Sequence, residues 1–125
     1  MKVVLDAGAL VALDKRDRHV GAMLALLQAR GVPVHTSVAA VAQVWRDGRK
    51  QALLARVLAG VKVVGVSPGD ERTIGELLAK AGTRDVVDAH VALLVGNGDR
   101  LLTSDAADLK RLLSAKRTTA VIVPV

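Results

Sequence analysis

The sequence predicts an α/β fold, a three-layer α/β/α sandwich around a central parallel sheet of four to five strands. Three observations lead there. Short β-branched runs alternate with helix-length amphipathic segments from one end of the 125 residues to the other, and that alternation implies parallel strands joined by right-handed crossovers. Hydrophobic residues make up 51% of the chain, yet there is no Phe or Tyr and Trp45 is the only aromatic. Such a core must be packed from Val, Leu, Ala and Ile, the composition of a sheet covered on both faces. Finally, no repeat, low-complexity stretch or Pro/Gly/Ser-rich linker divides the chain, so residues 1–125 read as a single domain.

The elements follow in order. KVVLD (2–6) is a short apolar run ending in an acid, a central strand, and a short helix follows to about Asp14. In 18–31, Val20, Met23, Leu24 and Leu27 recur at helical spacing and Gly31 supplies the stop. VPVHTS (32–37) is a strand, whose closing hydroxyl pair caps a helix through VAAVAQVWR. Residues 49–58 read as a basic helix and 61–66 as a strand, with Ser67-Pro68-Gly69 as a turn. A helix over 69–81 stops at Gly82, and a mostly apolar helix spans 83–98. RLLTS (100–104) is a strand, 105–115 a helix, and 119–125 the last strand.

Composition narrows the chemistry. With no cysteine, disulfides, thiolate metal sites and cysteine nucleophiles are excluded. His19, His35 and His90 show no ligand spacing and read as structural. The serines lack a G-x-S-x-G setting, and no dinucleotide or phosphate-loop glycine motif occurs. No apolar run approaches the roughly 20 residues of a membrane span. Asp6 interrupts the first apolar run too early for a secretory leader, so a cytoplasmic protein is expected. A net charge of +6 favours polyanionic partners.

Four aspartates stand out. Asp6 and Asp105 each follow a strand, where ligands bind in open parallel sheets. Asp85 and Asp88 lie three apart on one face of an apolar helix. Each could be a helix cap, Asp88 least readily. If the first and fourth strands are neighbours, however, Asp6, Asp88 and Asp105 converge, and crowded carboxylates need protons or a cation. Hard oxygen donors without histidine or cysteine select Mg²⁺ or Mn²⁺, and a bound ion can activate water against a phosphoryl group.

VVLDAGALVAL, DVVDAHVALL and LLTSDAADL, in this order and spacing, resemble a PIN domain, and the size is similar to that of the VapC-type toxins. The resemblance implies a metal-dependent ribonuclease, often dimeric, silenced by a small antitoxin protein. It implies Asp6, Asp88 and Asp105 as catalytic and metal-binding acids and Asp85 as a further ligand, with Thr103 and Ser104 orienting Asp105 or a bound water. The chain departs from the family at Gln43, which occupies the place of the usual second acid. An amide offers an oxygen but no charge, so metal affinity is expected to fall, and a PIN-like module that binds nucleic acid or protein with weakened catalysis is the alternative. Arg46 and Arg49 are the expected contacts to a substrate backbone, Asp47 is expected to be exposed, Asp108 a solvated helix acid or one that touches the outer shell of the site, and Trp45 part of the core or of a partner interface.

Overall fold

The computed structural model describes residues 1–125. The chain runs β1 (Val3–Leu5), α1 (Ala7–Asp14), α2 (Arg18–Ala29), β2 (Val34–Ser37), α3 (Val38–Val44), α4 (Ala52–Leu58), β3 (Lys62–Val64), α5 (Asp70–Ala81), α6 (Val86–Leu94), β4 (Arg100–Thr103), α7 (Ala106–Lys116) and β5 (Val121–Pro124). All five strands pair in parallel, in the order β3-β2-β1-β4-β5. Leu5 lies opposite Thr36 on one side and Leu102 on the other. This is the α/β architecture the alternating pattern predicts, at the upper end of the expected strand count.

Connections from β1 run to β2 and then to β3, whereas β4 lies on the other flank of β1. Their direction therefore reverses between β1 and β4. Helices α1 to α4 pack among themselves, as do α5 to α7, and right-handed crossovers put the two groups on opposite faces. A cleft beyond the carboxyl ends of β1 and β4 is the geometric result.

The core contains 23 buried hydrophobic residues, every one aliphatic. Val3, Val4 and Leu5 at the centre of the sheet are wholly inaccessible. Trp45 packs against the margin of this core, half-buried, which agrees with a packing role.

Several boundaries differ from the sequence reading. The helix expected over 83–98 is shorter at both ends. Asp85 is in extended backbone and its side chain accepts from the Asp88 amide, so the helix starts at Val86. At the other end Val95 turns extended, and the Lys116 ammonium donates to the carbonyls of Ala92, Leu93 and Val95. Those carbonyls are the groups a helix end leaves without partners. The helix expected from 49 begins at Ala52, because Gln51, 7% exposed, organises the segment before it. Its side-chain oxygen accepts from the Arg46 and Asp47 amides, and its nitrogen donates to Val44 O and to Asp14. The α5 helix is bracketed by Gly69 and Gly82, both left-handed at φ 100° and 71°, a conformation glycine adopts without a Cβ clash. No helix is long and apolar enough to cross a membrane.

Candidate functional site

The Asp6 amide donates to Leu102 O across the β1–β4 pair, so the end of β1 is tied to the strand that leads into Asp105. The Asp6 side chain is almost fully buried and heavily engaged. Oδ1 accepts from the Ala9 amide at 2.8 Å, which caps α1. Oδ2 accepts from the Thr103 hydroxyl at 2.5 Å and the Ser104 amide at 3.3 Å. Burial pushes the Asp6 carboxyl above the usual carboxylate range, while Thr103 and the amides of Ala9, Ser104 and Gly8 pull it back.

Asp105 and Asp85 also cap helices. Asp105 Oδ1 accepts from the Asp108 amide at 3.3 Å at the start of α7, and Asp85 Oδ1 from the Asp88 amide at 2.9 Å at the start of α6. Three helix N-termini, those of α1, α6 and α7, thus carry an aspartate each. All three aspartates line one cleft of about 310 Å³, together with Gly8, Val11, Gln43, Asp88 and Ser104. The partial positive charge of a helix N-terminus favours an acid there. The capping role and the convergence expected from the sequence are therefore both present.

Gly8 lets the two halves close. A Cβ built at Gly8 would fall 1.7 Å from Ser104 Oγ and 2.4 Å from Ser104 Cβ. Only the absence of a side chain allows α1 to start this close to the turn that carries Asp105.

Asp88 differs from its neighbours. It projects from the first turn of α6, is 7% exposed, and its carboxylate accepts no hydrogen bond from the protein. Its carboxyl is pushed up to about 7, first by burial and then by the charges of Asp85, Asp6, Asp105 and Asp108. No lysine or arginine relieves this crowding. The chain's single salt bridge joins Lys2 to Asp99 at 2.5 Å, at the opposite end of the sheet.

The structure corrects one expectation and places three others. Asp108 is not a solvated helix acid: it is half-buried, and one carboxylate oxygen each from Asp88, Asp105 and Asp108 lie within 4.8 Å of one another. Thr103 does not face the cleft water. It is wholly buried, donates to Asp6 and accepts from the Asp105 amide at 2.8 Å, so it orients both acids at once. Ser104 contributes its amide to Asp6, while its hydroxyl lies against Gly8. Arg46 and Arg49 do not line the cleft. α3 ends at Val44 and its carbonyls need donors, so the Arg46 guanidinium folds back onto Ala42 O and Trp45 O.

Gln43 does line the cleft and is exposed there. Asp47 does not reach it; its carboxylate accepts from the Arg49 amide instead. His90 is structural as expected, buried and 2.5 Å from Ser37 Oγ through Nδ1. The residue the sequence understated is Asp108. Its spacing of three from Asp105 was visible, but only the packing of α6 beside α7 brings Asp88 to the same point. Oxygen-only donors, one of them a largely buried aspartate whose carboxylate opens onto the cleft, suit a hard divalent cation such as Mg²⁺ or Mn²⁺.

No family model matches the sequence, and no curated protein matches it. The structure is similar to a chain in the crystal structure of VapBC2 from Rickettsia felis bound to a DNA fragment from their promoter. The TM-score is 0.72 at 18% identity, over 100% of this chain and 99% of that one. The likeness shows a shared fold, the PIN-like α/β architecture.

Proposed function

We propose that this chain is a metal-dependent endoribonuclease and the toxin of a type II toxin–antitoxin pair, held in check by a cognate antitoxin protein. The observation that carries the reading is the cleft itself. Carboxylates from β1, α6 and the β4–α7 turn are gathered at the reversal point of the sheet with no cation from the protein to neutralise them. A folded protein retains such repulsion where it serves a ligand.

Asp6, Asp88 and Asp105 would hold Mg²⁺ or Mn²⁺, with Asp85 at the rim. When bound, the ion supplies a water of lowered pKa and neutralises charge developing on a phosphoryl oxygen. The chain's own residues prepare the site. Thr103 fixes Asp6 and the backbone of Asp105 in one arrangement, and Gly8 permits their approach. The net charge of +6 draws a polyanion such as RNA toward the surface. The structural neighbour comes from a VapBC2 assembly on promoter DNA, which supports a protein partner for this chain. A homodimer and a cytoplasmic setting complete the proposal.

Gln43 favours a second reading, a PIN-like module with weakened catalysis that binds nucleic acid or protein. Both are tested by one preparation: cleavage of labelled RNA with Mn²⁺ or Mg²⁺, with EDTA, and with Asp6→Asn and Asp105→Asn. The nuclease reading expects metal-dependent cleavage lost in both variants while the melting curve survives. RNA binding without cleavage at any metal concentration would favour the module, and normal cleavage by Asp6→Asn would remove that residue from the site. Light scattering tests the dimer.

A further inference from the structure

We infer that Asp108 is a direct ligand of the divalent cation, completing a set with Asp88 and Asp105, and that it supplies the negative charge Gln43 lacks. This rests on the metal-binding reading above and adds a ligand from α7 to it. The family resemblance implies Asp6 among the ligands and an acid at the α3 position. In this chain the α3 position is an uncharged amide, and three of the lone pairs of Asp6 are committed to Ala9, Thr103 and Ser104. The carboxylates that come together, within 4.8 Å, are those of Asp88, Asp105 and Asp108. Asp88 and Asp105 also line the cleft that holds Asp6 and Gln43, whereas Asp108 does not. An ion held by Asp88 and Asp105 therefore has Asp108 within reach on its α7 side and position 43 on the cleft side.

A cluster of acids alone would not establish a site, since acids often gather at surfaces. The second observation is Asp88: more than nine-tenths buried, without a donor from the protein, and aimed at Asp105 and Asp108. Its oxygens open onto the cleft and meet no donor of the protein there. Oxygens within 4.8 Å of one another need only small side-chain rotations to close on one Mg²⁺ ion at its usual distance of about 2.1 Å. Asp108 also follows Asp105 by three residues at the N-terminus of α7, so one rigid helix turn presents both.

The test is Mn²⁺ titration by calorimetry on the full chain, with no RNA present, alongside the metal-free melting temperature as a fold control. The Asp108 side chain caps nothing, so Asp108→Asn and Asp108→Ala are expected to fold. Loss of a direct ligand should weaken Mn²⁺ binding about 10-fold or more, and Gln43→Glu added to Asp108→Asn should recover much of that loss. Unchanged affinity in both Asp108 variants would overturn the inference and leave the metal reading standing. A double variant that recovers nothing would overturn the compensation by Asp108. A wild-type chain that binds no Mn²⁺ would overturn both readings together.

Discussion

Asp88→Asn should stabilise the metal-free protein, and the gain should depend on pH. The folded state raises this carboxyl from 3.8 to about 7, through burial first and the four neighbouring aspartates second. The folded chain therefore binds the Asp88 proton more tightly than the unfolded chain does. Stability falls as pH rises from about 4 to about 7, and the whole penalty is present above that. The shift corresponds to at most about 4 kcal/mol. Water in the open cleft screens part of it, leaving about 2 kcal/mol. Asparagine keeps the shape and removes the charge. At pH 8 in EDTA the variant should melt about 8 °C above the wild type, and near pH 4 the difference should vanish. Adding Mn²⁺ at pH 8 should raise the wild type and leave the variant nearly unmoved. Urea titrations at the two pH values give the same comparison in free energy. An Asp88→Asn protein less stable than wild type at pH 8, or one with equal offsets at both pH values, would refute the argument that Asp88 is an uncompensated charge.

Three further outcomes follow from the same geometry. Gly8→Ala should cost about 1–3 kcal/mol through the clash with Ser104 and lower metal affinity by displacing the turn; Ser104→Gly in the same chain should restore the melting temperature, and no restoration would count against the close approach. Thr103→Val should destabilise by about 1–3 kcal/mol, and because the lost hydroxyl was lowering the Asp6 pKa, the deficit should widen as pH rises; a pH-independent deficit in denaturant titrations would contradict this. Lys2→Met should cost about 1–2 kcal/mol at pH 7. Asp99 is held below the usual carboxylate range by Lys2 and the Lys2 and Gly96 amides, which outweigh its burial, so that cost should fade only as acid protonates Asp99, at a pH below 4; its persistence at pH 2 would separate the effect from the ion pair.

Much of the fold was legible because it is written in local patterns. Val3–Leu5 and Leu101–Leu102 are apolar runs that only a two-faced buried sheet accommodates, and Gly31 and Gly82 mark helix ends by conformation alone. The convergence of Asp6 with Asp105 followed from one assumption, that β1 and β4 are neighbours, and the observed pairing supplies it. What the sequence hid depends on distant partners. The early end of α6 is set by Lys116, more than twenty residues away. The bend before α4 is set by Gln51, which resembles any surface glutamine when read in line. Arg46 donates to carbonyls at the end of α3, which lies two residues before the end the sequence suggests. Asp108 was passed over for the related reason that a helix acid normally meets solvent, and here a second helix replaces that solvent.

Capping by Asp6, Asp85 and Asp105 has an evolutionary corollary. Those acids are part of the scaffold's own start signals, so replacing one with alanine would fray a helix as well as empty the centre, whereas asparagine would preserve the cap. Position 43 carries no such double duty, being an exposed place in the last turn of α3. An acid could be exchanged for an amide there, or an amide for an acid, without loosening the architecture.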